Sequence, residues 1–299
     1  MPAAPLLHTA LAKRDALQAP DTNLLRLIDG AADGFPGHYL ESYGPHWLLA
    51  TTGQRRDAEL CAELARHGKS LYWKRLDQHQ KDSPLPLHGP ETPARVTGLE
   101  NGVSYHLSFH SGYSQGIFLD QRDNRRQLRE LLAPGQTLLN TFAYTGAFSV
   151  CGALAGATTT TLDLSQPYLD WAKDNFTLNQ LDPAAHYFCK GDTFHWLRRF
   201  AKQGRRFHAI VLDPPTFSRD QKGKVFRVEK DYAELVALAL RCLEKDGTIL
   251  ASTNCKKLSL RDFKTQLAPA LPRAHHLHAA PMPEDFPDTP YLKSLWIKA

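Results

Sequence analysis

Residues 137–164, TLLNTFAYTGAFSVCGALAGATTTTLDL, decide the fold: TLLNTF reads as a buried strand, GAFSVCGALAG as a helix and TTTTLDL as a second strand. Downstream the alternation repeats. Helix QPYLDWAKDNFTLNQ is followed by strand AHYFCKGD, helix TFHWLRRFAKQG, strand HAIVLD, loop PPTFSRDQKGK and helix EKDYAELVALALRCLEKDG. Strand TILASTN, helix LRDFKTQLAPAL and two closing strands, AHHLHAAPM and YLKSLWIKA, complete the pattern. Strands alternating with helices of this length predict an α/β domain over residues 111–299, a parallel sheet covered on both faces. Such sheets bind ligands outside the carboxyl ends of their strands, so the chemistry is to be sought there.

Upstream the grammar differs. NLLRLIDG, HYLESYG and HWLLATTG alternate like strands and end at Gly30, Gly44 and Gly53. RRDAELCAELARHG carries Ala58, Leu60, Cys61 and Leu64 at helical spacing, with Gly68 where a C-terminal cap falls, and SLYWKRLD and VSYHLSFH are strands again. This predicts a small α+β domain over 23–110, with QHQKDSPLPLHGPETPAR and its four prolines as a loop. Residues 1–22 read as a partly helical leader; Lys13 and Arg14 follow its short apolar patch, the wrong order for a secretion signal. A length of 299 residues accommodates two domains. No apolar run approaches the ~20 residues of a membrane span. Five scattered cysteines, odd in number and without a CxxC pair, favour reduced thiols in a cytoplasmic protein over a disulfide framework. The net charge of +5, from 36 Lys+Arg and 31 Asp+Glu, is too small to name a nucleic-acid partner by itself.

Four strand ends carry acidic or amide groups: Asn140 leading to Gly146, then Asp163, Asp192 and Asp213. At the first, NTFAYTG opens a helix whose free N–H groups and Gly146 suit a ligand, yet one glycine is not the G-x-G-x-x-G that holds a pyrophosphate. An acid at the position of Asp163 commonly accepts ribose hydroxyls; the competing reading is a helix cap before Gln166. Asp192 falls where an adenine amino group would lie, or caps the helix starting near Thr193. An adenosine cofactor without phosphates, S-adenosylmethionine, fits the missing glycines. Asp213 leads into Pro214 and Pro215, which force a rigid, extended exit, and Phe217 offers a ring to an unstacked nucleobase.

Together, GYSQGIFLDQRDNRR, NTFAYTGAFSV, TLDLSQPYLDWAKDNFTLNQL, DPPTFSRDQKGK and DFPDTPYLKSLWIKA resemble the class I S-adenosylmethionine methyltransferases that modify 23S ribosomal RNA, in their cytosine-C5 and guanine-N7 branches. The resemblance covers roughly residues 100–299 and extends more loosely into NLLRLIDGAADGFPGHYLESYG. It implies a seven-stranded Rossmann-like sheet behind a small domain with a possible RNA-binding role. Only about 22 residues precede that small domain, so the PUA-type module of the cytosine branch is not expected. Carried over by position, the cofactor site comprises Asn140, Phe142, Tyr144, Gly146, Asp163, Asp192 and Asp213. Arg122 and Arg125 frame the pocket mouth.

The atom methylated turns on Cys255. A cytosine-C5 transfer needs a thiolate nucleophile, and the strand TILASTNCKKLS offers Cys255 beside Lys256 and Lys257, which would depress its pKa if exposed. Matched without gaps from Gly247, however, Asn254 takes the place of the family's cysteine, and a one-residue shift in a strand turns a side chain to the other face. A ring-nitrogen transfer needs no covalent step; Asp213, Pro214, Pro215, Thr216, Phe217 and Asn254 would then hold the base, and STN-CKK is more like the guanine-N7 branch. RNA is the expected partner: Arg219, Lys222, Lys224, Arg227 and Lys230, five bases against Asp220 and Glu229, give a net +3 directly after DPPTFS. Alternation along a strand weighs against a metal at His275, His276 and His278. The rival functions are methylation of a small molecule or protein, and a catalytically silent RNA-binding protein of the same fold.

Overall fold

The computed structural model describes residues 3–17, 19–53, 56–77, 82–112, 114–219, 225–273 and 275–298. They form two compact units, Met1–Arg122 with Pro283–Thr289, and Asp123–Met282 with Pro290–Ala299.

The first unit begins with α1 (Ala3–Asp15) and continues through β1 (Leu24–Asp29), β2 (His38–Tyr43), β3 (His46–Thr51), α2 (Ala58–Arg66), β4 (Ser70–Arg75), β5 (Leu85–His88), β6 (Val96–Glu100) and β7 (Val103–Leu107). Strands β1 to β5 form one sheet in that order, antiparallel except where α2 carries the chain over from β3 to β4; β6 and β7 form a separate hairpin. Helix α1 is no loose leader. Ala3, Leu7 and Ala10 are buried at helical spacing in one cluster with Leu25, Leu40, Leu49 and Leu60. Two of those three contacts are alanines, whose weak hydropathy hides the buried face from a sequence reading. The proline-rich loop also differs from expectation, because Leu85–His88 is an edge strand. An edge tolerates Pro86, opposite Tyr72, since one side of the strand needs no donor. This unit extends past residue 110 to Arg122 and takes in Pro283–Thr289, far along the chain.

The second unit holds α3 (Arg122–Leu131), β8 (Thr137–Thr141), α4 (Ala147–Leu154), β9 (Thr158–Asp163), α5 (Gln166–Leu178), β10 (Tyr187–Lys190), α6 (Thr193–Lys202) and β11 (Phe207–Leu212). There follow β12 (Phe217–Arg219), β13 (Val225–Arg227), α7 (Val228–Leu240), β14 (Leu243–Thr253), α8 (Leu260–Leu267), β15 (His276–Ala280) and β16 (Lys293–Lys298). The seven-stranded sheet runs β10-β9-β8-β11-β14-β16-β15 and is mixed, because β16 lies antiparallel between β14 and β15. Its inner strands are buried on both sides, and period two sorts their residues. Leu139, Ile210, Leu212, Ile249, Leu295 and Ile297 join the cluster under α6, α7 and α8. Their neighbours Leu138, Val211, Leu250 and Trp296 join the one under α3 and α4. The stretch expected as an irregular loop contains the antiparallel pair β12 and β13. His276 and His278, two residues apart on β15, project from the same exposed face rather than from separate ones. No group of three or more potential metal ligands, and no helix long and apolar enough to cross a membrane, occurs among the described residues.

Candidate functional site

The chain leaves β8 toward β9 and β10 on one side, and later places β11 and β14 on the other. That reversal makes the carboxyl ends of β8 and β11 the expected ligand crevice. The turn after β8 is strained: Phe142 and Tyr144 have φ of 52° and 51°, left-handed values that side-chain-bearing residues adopt at a cost of order 1–3 kcal/mol. Backbone bonds hold the turn there, from Ala143 N to Leu162 O at 3.0 Å and from Tyr144 N to Asp163 Oδ2 at 2.9 Å. Asp163 therefore orients the turn that faces it. Its Oδ1 accepts from Ser165 N at 2.8 Å, and the cap of α5 is Ser165, so the capping alternative for Asp163 does not hold. Burial pushes the Asp163 carboxyl above 3.8, opposed by the N–H groups of Ser165, Tyr144 and Leu164.

Gly146 has φ of 76°, and a Cβ there would meet Ala172 Cβ at 2.7 Å. The close approach it permits is that of α5. As a glycine, the cap position of α4 has no side chain to offer the first N–H groups of the helix. Asn140 is 1 % exposed, and its Nδ2 donates to Ser149 Oγ at 3.0 Å, which places this side chain inside the sheet–helix interface. Asp192 caps α6 through Oδ1, which accepts from His195 N at 2.8 Å, leaving Oδ2 outside that bond. Tyr144 packs edge-on against Tyr168 at 4.5 Å, and the Phe142 and Phe226 ring centroids lie 6.3 Å apart.

The segment after β11 is clamped from β14. Ser252 Oγ donates to Asp213 Oδ1 at 2.7 Å, and Thr216 Oγ1 donates to Asn254 Oδ1 at 3.0 Å. Beneath them the fully buried Tyr232 hydroxyl lies 2.7 Å from Leu212 O and 2.9 Å from Ser252 O, so one proton bridges the ends of β11 and β14. Burial lifts the Tyr232 pKa well above 10.0, which keeps that proton in place. Pro214 is buried, Pro215 exposed, and Phe217 stands 54 % exposed at the start of β12. Tyr232 and Ser252 were not among the expected residues. The signal for Tyr232 is present: it shares the apolar face of α7 with Val228, Leu235, Val236 and Ala239, and a tyrosine there must find a partner for its hydroxyl.

Several candidates lie elsewhere. Cys255 is 2 % exposed within the core cluster that includes Tyr232 and Phe263, so it is not the exposed thiol a nucleophile requires, whereas Asn254 beside it is exposed. Arg122, expected at the pocket mouth, is buried in the first unit, its guanidinium donating to both Asp285 oxygens at 2.6 and 3.0 Å. Arg125 is 2 % exposed with its guanidinium 5.8 Å from the Phe148 ring centre. The missing signal in both cases is a partner far off in sequence. Arg227 and Lys230 are exposed; Lys222 and Lys224 lie outside the described residues, and Arg219 is described only as the end of β12.

The family model of S-adenosylmethionine-dependent methyltransferases matches residues 64–297. A Bacillus subtilis protein named "Putative ribosomal RNA large subunit methyltransferase YwbD" is 33% identical over 309 aligned positions, covering 96% of this chain and 78% of that one. Ribosomal RNA large subunit methyltransferase I of Yersinia pseudotuberculosis is 34% identical over 89% of this chain and 68% of its own length. The structure described as "Crystal structure of SMU.776, a putative methyltransferase complexed with SAH" superposes with a TM-score of 0.91 at 32% identity, over 99% of this chain and 80% of that one. A strand order that reverses between β8 and β11, acids at the ends of β9, β10 and β11 and these likenesses agree: the chain belongs to the S-adenosylmethionine-dependent methyltransferases.

Proposed function

We propose that this enzyme methylates RNA of the large ribosomal subunit on a base, with guanine N7 ahead of cytosine C5. The names of the relatives support the substrate class. One observation carries the choice of atom: the groups around the DPPTF segment are a carboxylate, a hydroxyl and an amide, while the Cys255 thiol is packed in the core. A C5 transfer starts with thiolate attack on C6 of the base. A nitrogen acceptor needs only its lone pair aligned with the departing carbon–sulfur bond, so positioning supplies most of the rate.

The residues fit the cofactor. The Asp163 carboxylate accepts backbone N–H groups of Tyr144, Ser165 and Leu164 and, with about four lone-pair sites, keeps room for a ribose hydroxyl; Asp192 Oδ2 suits an adenine amino group; the opening N–H groups of α4 suit a carboxylate. When bound, S-adenosylmethionine supplies an electrophilic methyl on a sulfonium. Asn140, given its bond to Ser149, supports the turn rather than the ligand. Phe217 stacks on the unstacked base, and Thr216 and Asn254 present hydrogen-bonding groups to its edge. N7 methylation leaves a positive charge on the purine, which the Asp213 carboxylate, held by Ser252, stabilises. Arg219, Lys222, Lys224, Arg227 and Lys230 meet the RNA backbone, and the first unit assists in gripping it. The same reading puts the enzyme in the cytoplasm, with assembling ribosomes.

Tritiated methyl transfer to total RNA from a deletion strain, followed by nucleoside mass spectrometry, tests this. Label in 7-methylguanosine from large-subunit RNA is expected. Label in 5-methylcytidine, lost with Cys255→Ala, would overturn the nitrogen assignment. Label absent from RNA altogether would overturn the substrate.

A further inference from the structure

The basic excess of this chain has a location. Residues 190–206, KGDTFHWLRRFAKQGRR, hold six basic residues against one acid, a net +5 that equals the charge of the whole protein and leaves 30 basic and 30 acidic residues elsewhere. Helix α6 displays them on one side. Phe194, Leu197 and Phe200 face the core, whereas Arg198, Arg199 and Lys202 are exposed along a helix about 15 Å long, with Arg206 exposed just beyond it. Lys190 is exposed at the end of β10, the open edge of the sheet. Of these, Arg198 is already paired with Glu234.

Aromatic rings are built into the same surface. Tyr187 on β10 is 54 % exposed, and the Arg205 guanidinium lies 4.7 Å from its ring centre while donating to Thr160 Oγ1 at 2.8 Å. Arg205 thus holds the inner side of an exposed ring. Nearby, the Trp196 indole donates to Lys190 O at 3.1 Å and lies under the Arg199 guanidinium at 5.0 Å. A Cβ at Gly191 would meet that indole at 2.7 Å, so the glycine is what lets the ring pack down. Cations interleaved with fixed aromatic faces are what a single-stranded nucleic acid requires, phosphates against the charges and bases against the rings. The charge sign and the exposed ring together favour RNA over an acidic protein, which has no need of a stacking platform.

We infer that α6 and the edge strand β10 form a second RNA-contact surface, separate from the DPPTF segment, that grips the strand flanking the target nucleotide through Arg199, Lys202 and Tyr187. It starts where Asp192 caps α6, at the ligand end of the sheet, and leads away from it. This rests on the reading of RNA as substrate.

The test compares wild type, Arg199→Ala/Lys202→Ala and Tyr187→Ala for binding to large-subunit ribosomal RNA across a salt series, alongside methyl transfer and S-adenosylmethionine affinity. Losing two phosphate contacts is expected to weaken RNA binding about tenfold and to flatten the slope of log K against log salt by about 1.4. Tyr187→Ala is expected to lose about fivefold or more with the slope unchanged, because stacking releases no counterions. In both variants KM for RNA rises, while kcat at saturation, cofactor affinity and melting temperature stay at wild-type values. A double variant with wild-type affinity and slope, in a preparation whose wild type methylates RNA, would overturn the surface and leave the substrate reading standing; an acidic protein partner would give that same result. If the wild type neither binds nor methylates RNA, both readings fall.

Discussion

Buried charge distinguishes the first unit from the second. In the first, Arg14, Arg26 and Arg122 are each 9 % exposed or less, and each guanidinium meets a carboxylate: Asp33 for Arg14, Asp29 and Glu41 for Arg26, Asp285 for Arg122. Asp285, fully buried, also accepts from Arg26 N at 2.8 Å. In the second unit the buried polar residues are mostly Thr, Ser and Asn, and short hydroxyl bonds satisfy them, such as Thr161 Oγ1 to Ser149 Oγ at 2.8 Å and Thr141 Oγ1 to Val211 O at 2.7 Å. The difference teaches how each tolerates change. A buried ion pair fails badly when one partner goes, whereas a neutral hydrogen bond contributes about 1 kcal/mol and its loss is local. Both units take in a distant piece of chain, but the first fastens it with a buried ion pair, Arg122 to Asp285, and the second with neutral bonds between Asn124 and both Ser294 and Trp296.

The comparison can be broken at Asp285. Asp285→Ala leaves Arg122 buried without its partner and is expected to cost about 3–5 kcal/mol, read as urea unfolding through Trp47 and Trp73 of the first unit. A loss under about 1 kcal/mol would mean that charge does not hold this unit. In the second unit the largest effect of a single polar deletion falls on function. Asp163→Ala is expected to weaken S-adenosylmethionine by about 1.5–3 kcal/mol, on the order of 10- to 100-fold in Kd by calorimetry. The raised pKa of Asp163 adds a pH signature: the ionised form accepts ribose hydroxyls, so affinity should fall on acidification at pH values above those where an ordinary aspartate, near 3.8, is protonated.

Tyr232→Phe sharpens the contrast, because it deletes one hydroxyl and nothing else. It should cost about 1–2 kcal/mol in stability and lower kcat more than it raises KM, as the ends of β11 and β14 lose their bridge. Equal effects on both parameters would point to a loss of fold rather than of positioning.

A smaller, graded effect is expected from the histidines, one in each unit. His186 Nδ1 accepts from Thr159 N at 3.1 Å, and burial holds the pKa below 6.5, partly offset by Asp182. His46 is likewise lowered by burial, with Lys69 adding to it. A depressed folded-state pKa means that the stabilisation is complete above about 6.5 and is lost as pH falls through the folded value. His186→Gln should flatten that acid limb of the stability curve; an unchanged limb would remove His186 from it. The smallest effect belongs to Cys255→Ala, expected to leave methyl transfer within about threefold of wild type, since the thiol packs in the core.

Much of the catalytic unit was legible in one dimension because its signals are local. Buried parallel strands announce themselves as short apolar runs, and the acids at 163, 192 and 213 mark where those runs end. Residue types and spacing thus determined the α/β class, the end of the sheet where ligands bind and the adenosine character of the cofactor. What stayed hidden depends on partners that spacing cannot supply. Arg122 reads as a pocket-mouth residue until Asp285 folds back to it; Cys255 leaves the nucleophile question open until its side chain is seen to be in the core; the close approach that Gly146 allows has no named neighbour until Ala172 is seen beside it. The weak net charge is of the same kind, since a sum over the chain is indifferent to position and the exposed ridge of α6 is not. Local chemistry is written along the chain, whereas burial and ion pairing are properties of two or more segments at once, and only the tertiary structure brings those segments together.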